Sequence, residues 1–92
     1  MKEQQTKSLK SAIDGLLWLS AESIGQRFHI DVLVLASRQE LEVKIVDLTL
    51  GESPIYLDSS HGQPFSRETI NTMEDRLIEK LADLNQEQEI AA

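Results

Sequence analysis

Apolar residues recur at three- and four-residue spacing near both ends of the chain, and alternate with polar ones in between. Leu9, Ile13, Leu16, Leu17, Ser20 and Ile24 follow one helical stripe, which predicts a helix from about Thr6 to about Gly25. Thr6 or Ser8 would cap it, Gly25 would end it, and Gly15 would permit close approach of another element. Phe28, Ile30, Val32 and Val34 then alternate with His29, Asp31, Leu33 and Leu35, the period of a strand. Its second face turns apolar at the far end, which predicts that this end is covered on both sides. The polar run Ala36–Glu40 breaks the pattern at hairpin length, without an Asn-Gly or Asp-Gly pair.

A second strand starts at Leu41, with Val43 and Ile45 on one face and Glu42 and Lys44 on the other. The apolar phase then slips by one residue, continuing at Val46, Leu48 and Leu50, as a β-bulge requires. After Gly51–Pro54, Ile55-Tyr56-Leu57 is a candidate third strand, which Pro54 assigns to an edge. Asp58–Gln63 reads as a loop. Ser66 is a good helix N-cap, Phe65 and Ile70 form a hydrophobic staple around it, and Glu68 suits the positive end of the helix dipole. The second helix is predicted over Arg67–Leu84, with Ile70, Met73, Leu77, Leu81 and Leu84 inward and Ile78 at the margin.

The resulting α-β-β-(β)-α order predicts an α+β fold of two layers, a small antiparallel sheet with both helices on one face. Val32, Val34, Val43, Ile45, Leu48, Leu16, Leu17, Ile13, Leu77 and Leu81 are the predicted core. The 92 residues make a single domain, 1–92, with its core at about 8–84 and frayed polar tails at 1–6 and 85–92. The element order resembles that of double-stranded-RNA-binding domains. Here, however, the last helix starts Ser66-Arg67-Glu68-Thr69 where those domains carry lysines, so their function is not carried over.

Charge and composition narrow the functions. The net charge is −7, distributed as +1 over residues 1–28 and −4 over each of 29–65 and 66–92. That balance repels phosphate backbones and argues against nucleic acid as a partner. No apolar run approaches the roughly 20 residues that span a bilayer, and no export signal precedes residue 10, so no membrane partner and a cytoplasmic location are expected. There is no cysteine, hence no disulfide and no thiolate metal site.

No catalytic set emerges. His29 and His61 lack metal-ligand spacing, and His29 with Asp31 gives a two-ligand fragment without a third. Asp58-Ser59-Ser60-His61 holds the residue types of a hydrolytic triad, but adjacency in a loop does not deliver triad geometry. The carboxylates at Glu40/Glu42, Glu74/Asp75, Asp83 and Glu87/Glu89 fall on predicted polar faces or in the tail, whereas general acid–base work needs one of a pair desolvated. The chain is therefore expected to be no enzyme, with no cofactor and no metal.

One anomaly remains. Gly15-Leu16-Leu17-Trp18-Leu19 is apolar most of the way round the first helix. At about 100° per residue, Trp18 stands about 140° from Ile13, on the polar side near Glu22, and Leu19 about 120° away on the other flank. A chain that buries only roughly 60–65% of its unfolded surface has little material to cover both flanks. Gly15, Trp18, Leu19 and Glu22 are therefore the candidate protein interface. The expected function is a small acidic protein-interaction module (adaptor, chaperone or regulator) that forms a homodimer through this helix or binds another protein. Two alternatives have their own features. The acidic later segments would suit an inhibitor or nucleic-acid mimic of phage or mobile-element type. Lys2, Lys7, Lys10 and Arg27, with Trp18 stacking on a base, would suit a weak nucleic-acid binder.

Overall fold

A computed structural model describes the backbone of residues 2–51 and 53–91, and the side chains of 9–51 and 53–86. The elements are α1 (Lys2–Glu22), β1 (Phe28–Leu35), a single 3-10 turn (Ala36–Arg38), β2 (Glu40–Asp47), β3 (Pro54–Ser59) and α2 (Arg67–Ala91). The three strands form one antiparallel meander in the order β1-β2-β3, with both helices on one face, as the alternation predicts. No helix among the described residues is long and apolar enough to cross a membrane.

The central strand organises the core because it alone is flanked on both sides. Leu41, Val43 and Ile45 all point at the helices and are fully buried, opposite Val34, Val32 and Ile30 of β1. Leu16 and Ala12 of α1 and Ile70, Met73 and Leu77 of α2 close over them. Burial of such a set supplies most of the folding free energy, at roughly 25 cal/mol per Å² of apolar surface. The start of α2 forms as predicted. The Thr69 amide donates to Ser66 Oγ at 3.3 Å, the Ile70 amide donates to the Ser66 carbonyl at 3.1 Å, and Phe65 and Ile70 both join the core.

The bulge expected in β2 needs correction. The β1–β2 register runs unbroken from Phe28↔Asp47 to Leu35↔Glu40, so β2 carries no extra residue. The irregularity falls at the expected place but on the other strand: Ile45 pairs with Tyr56 and Val46 with Pro54, which leaves Ile55 of β3 as the extra residue. Val46 is buried opposite His29, outside the cluster between sheet and helices. The third strand forms at the sheet edge and is longer than Ile55–Leu57 alone, with Pro54 as its first residue.

Other expectations need correction. The helix α1 starts at Lys2, so Thr6 and Ser8 lie within it instead of capping it, and it ends at Glu22, leaving Ile24 exposed in the following turn. Gly25, at φ +85°, takes the left-handed conformation of a helix stop as predicted. Helix α2 continues past Leu84 to Ala91. Leu48, predicted in the core, is exposed. The reason is Asp47, whose carboxylate accepts the Thr49 amide at 3.0 Å and the Thr49 hydroxyl at 2.7 Å, while its carbonyl accepts the Leu50 amide at 2.9 Å. This Asx turn ends the strand before Leu48 and Leu50 can continue its apolar face. Leu17 is also more exposed than a core residue, because it lies about 100° round the helix from Leu16.

Candidate interaction surface

The four residues singled out on α1 differ in burial: Gly15 and Leu19 are partly covered, Trp18 and Glu22 exposed. Leu19 packs against the core, and a Cβ built on Gly15 would come within 2.5 Å of the Glu74 carboxylate of α2, so the bare glycine leaves room for the end of that side chain. This flank, expected to lie open, is covered by α2. Trp18 and Glu22 face solvent, and Trp18 is 67% exposed. Leu17, next to Trp18, is 44% exposed, and Asp14 and Glu22 stand one turn before and after the indole. The result is an apolar centre with a charged rim.

The other flank of α1 meets the edge of the sheet. Ser20 Oγ donates to the Ile30 carbonyl at 2.6 Å, and the Ile30 amide donates to Ser23 Oγ at 2.9 Å. Ser23 Oγ in turn donates to the Ser20 carbonyl at 2.6 Å. These bonds fix the direction of the strand's polar groups. Ile30 turns its amide and carbonyl away from β2, toward the open edge. In an antiparallel pair such groups alternate, so Val32 and Val34 do the same. The far side of the sheet agrees. Leu41, opposite Val34, exchanges bonds with Ser60, its amide donating to Ser60 Oγ at 2.9 Å and its carbonyl accepting the Ser60 amide at 3.0 Å. Leu41 therefore faces β3, and Val34 has no partner on the β2 side.

The β1 edge thus has two halves. The half around Ile30 is closed by the serine hydroxyls of α1. Along the other half, no hydrogen bond among the described residues reaches the outward amides and carbonyls of Val32 and Val34. Side chains there are apolar and accessible: Val34 is 38% and Leu33 52% exposed. A surface depression of about 420 Å³ borders this edge, lined by Ser20, Asp31, Val32, Leu33 and Lys44 among others. The expectation that Leu33 would be covered on its own face is therefore corrected. Among the described residues, no helix packs on the outer face of the sheet. The edge is the feature that reading α1 alone missed, and its signal was the change from His29 and Asp31 to Leu33 and Leu35 on one strand face.

The remaining candidates have structural partners. Asp58, Ser60 and His61 point apart: Asp58 accepts from Arg76 at 3.4 Å, Ser60 is buried against Leu41, and the exposed His61 pairs with Glu40 at 3.0 Å. They do not form a triad. No group of three or more His, Asp or Glu among the described residues is placed to hold a metal ion. Arg27 spends its charge on buried Asp47 at 3.1 Å and lies 5.1 Å above the Phe28 ring. Asp47 is held below the usual carboxylate range by the Thr49 hydroxyl first and by Arg27 second, against the opposing effect of burial. Lys10 is exposed, and the side chains of Lys2 and Lys7 lie outside the described residues.

Comparison of the chain with family models, with curated proteins and with solved structures finds no match in any of the three.

Proposed function

We propose that this protein is a non-enzymatic protein-interaction module that self-associates along the solvent side of α1. The observation that carries this reading is Trp18, held out to solvent on a well-formed helix, with Leu17 extending its apolar patch toward the β1 edge. Tryptophan is among the residues that most often anchor interfaces, and an apolar centre inside a charged rim is the anatomy of a docking patch. A two-fold pair is the commonest assembly for a patch of this kind. The acidic surface elsewhere keeps a small domain soluble while one patch remains adhesive.

Sedimentation equilibrium at micromolar concentration tests it. The wild type is expected to weigh about twice the 10.4 kDa of one chain. Its tryptophan emission should shift to the blue on association, and Trp18→Ala should weaken association while the fold is kept. A wild type that stays a monomer, with emission typical of a fully hydrated indole, would refute the proposal.

A further inference from the structure

The open half of β1 fits a second copy of itself. We infer that two chains join β1 to β1 about a two-fold axis at Leu33, extending the three-stranded sheet into one continuous six-stranded sheet. This rests on the reading of the chain as self-associating and names the seam.

Three observations select this occupant and this register. The first is the difference between the two sheet edges. The β3 edge starts on Pro54, which has no amide to offer, whereas β1 carries neither a proline nor a bulge. Its segment Val32–Leu35 has no charge at all. Edges left in that state pair with other strands. The second is the closure around Ile30. Because Ser20 and Ser23 occupy that residue's outward groups, an incoming strand has only Val32 and Val34 to bond. Antiparallel self-pairing uses both on each chain in one register, with Val32 opposite the partner's Val34 and Val34 opposite the partner's Val32, each pair exchanging both N–H···O bonds. Moving the register one step toward the strand start sets Val34 against the blocked Ile30. Moving it the other way leaves Val32 opposite Ala36, where the strand has already turned into the 3-10 turn.

The third is charge. In a chain of net charge −7, self-pairing survives only where acidic groups do not meet. In the selected register Asp31 lies opposite the partner's Leu35, and Leu33 lies opposite its own copy on the outer face. No two carboxylates are cross-strand partners. Leu33 against Leu33 is a pair without backbone bonds between its members, the type whose side chains approach most closely, with Cβ atoms about 4.5–5.5 Å apart. On the inner face, Leu17 lies about 60° round α1 from Ser20, on the flank that borders the same edge, whereas Trp18 lies about 160° from Ser20, so Leu17 is the part of the helix patch nearest the strand seam.

The seam is tested by substitutions at Leu33, which is exposed and so dispensable for the monomer fold. The chain has no cysteine, so Leu33→Cys introduces a single thiol at the axis. Under mild oxidation this variant is expected to form a covalent dimer at least tenfold faster than Leu57→Cys, a somewhat more exposed control on β3. Leu33→Lys and Leu33→Glu should each lose dimerisation at least tenfold, and an equimolar mixture of the two should recover it as a mixed dimer. If Leu33→Cys cross-links no faster than the control, or if Leu33→Lys dimerises as tightly as the wild type, the seam is refuted. Loss of the dimer in Trp18→Ala combined with an unaffected Leu33→Lys would leave the helix patch standing and remove the strand seam. A wild type that is monomeric throughout would remove both.

Discussion

Ser23→Ala tests the junction on which the shape of the β1 edge depends. The hydroxyl makes two bonds, donating to the Ser20 carbonyl at 2.6 Å and accepting the Ile30 amide at 2.9 Å. The losses are unequal. The Ser20 carbonyl keeps the Ser23 amide at 3.1 Å as a second donor, whereas the Ile30 amide, in a buried residue, keeps nothing. Leaving a buried donor unpaired costs about 1–3 kcal/mol, so about 2 kcal/mol is expected. In a domain of this size 1 kcal/mol shifts the melting temperature by roughly 4–8 °C, which places the loss at about 8–16 °C. Ser20→Ala removes only a donor to the Ile30 carbonyl, in a part-buried bond, and should cost about 1 kcal/mol. The double variant should depart from additivity, because both hydroxyls act on Ile30. Urea unfolding at one fixed protein concentration measures all three, the fixed concentration being needed because association adds to apparent stability. Amide hydrogen exchange locates the effect: Ile30 should lose protection in Ser23→Ala, while Ile45 keeps it. A cost below about 0.5 kcal/mol, or Ser20→Ala matching Ser23→Ala, would show that the serines do not close this edge.

Two further substitutions and one titration follow from the core and from Asp47. Leu16→Ala removes a fully buried side chain between the helices and the sheet and should cost about 2–5 kcal/mol, whereas Leu17→Ala, one residue on, should change monomer stability by less than about 1 kcal/mol; urea midpoints of the two variants give the comparison. The Asp47 carboxyl titrates lower in the folded chain than unfolded, because the Thr49 hydroxyl and then Arg27 favour its charged form. Its stabilisation is therefore fully present above the unfolded value of about 3.9 and is lost as pH falls through the lower folded value. The difference in urea midpoint between wild type and Asp47→Asn should stay constant from about pH 7 to pH 5 and shrink below about pH 4; a difference that grows on acidification would contradict this.

Much of the fold could be read from the chain because local rules and global packing agree there. Ser66, flanked by Phe65 and Ile70, satisfies the amides of a new helix and packs its first turn, so the start of α2 is written in the six residues from Phe65 to Ile70. The apolar phase slip at Val46 marks the place of a register shift but not its strand: the extra residue is Ile55 of β3, while β2 keeps its pairing with β1. Leu48 failed for an equally local reason. Hydrophobic phase alone extended the strand, but the Asp47 carboxylate captures the Thr49 backbone and turns the chain. In that contest a side-chain-to-backbone bond outweighed a period-two pattern.

The candidate surface was half legible. Angular position on a helix is fixed by sequence number, which is why Trp18 could be placed opposite the buried stripe without coordinates. What covers the other flank is a tertiary matter: Leu19 turned inward because α2 packs beside α1 there, a contact that no local pattern in α1 announces. The edge of β1 is a still longer-range property. It depends on strand order, on which way each amide points, and on two serines ten and seven residues away that reach Ile30. Those serines divide a strand of uniform β character into a satisfied half and an unsatisfied half. The boundary falls where the outer face changes from His29 and Asp31 to Leu33 and Leu35. Backbone polarity and side-chain polarity thus change at the same point, as expected if Val32–Leu35 is held open for a strand to join.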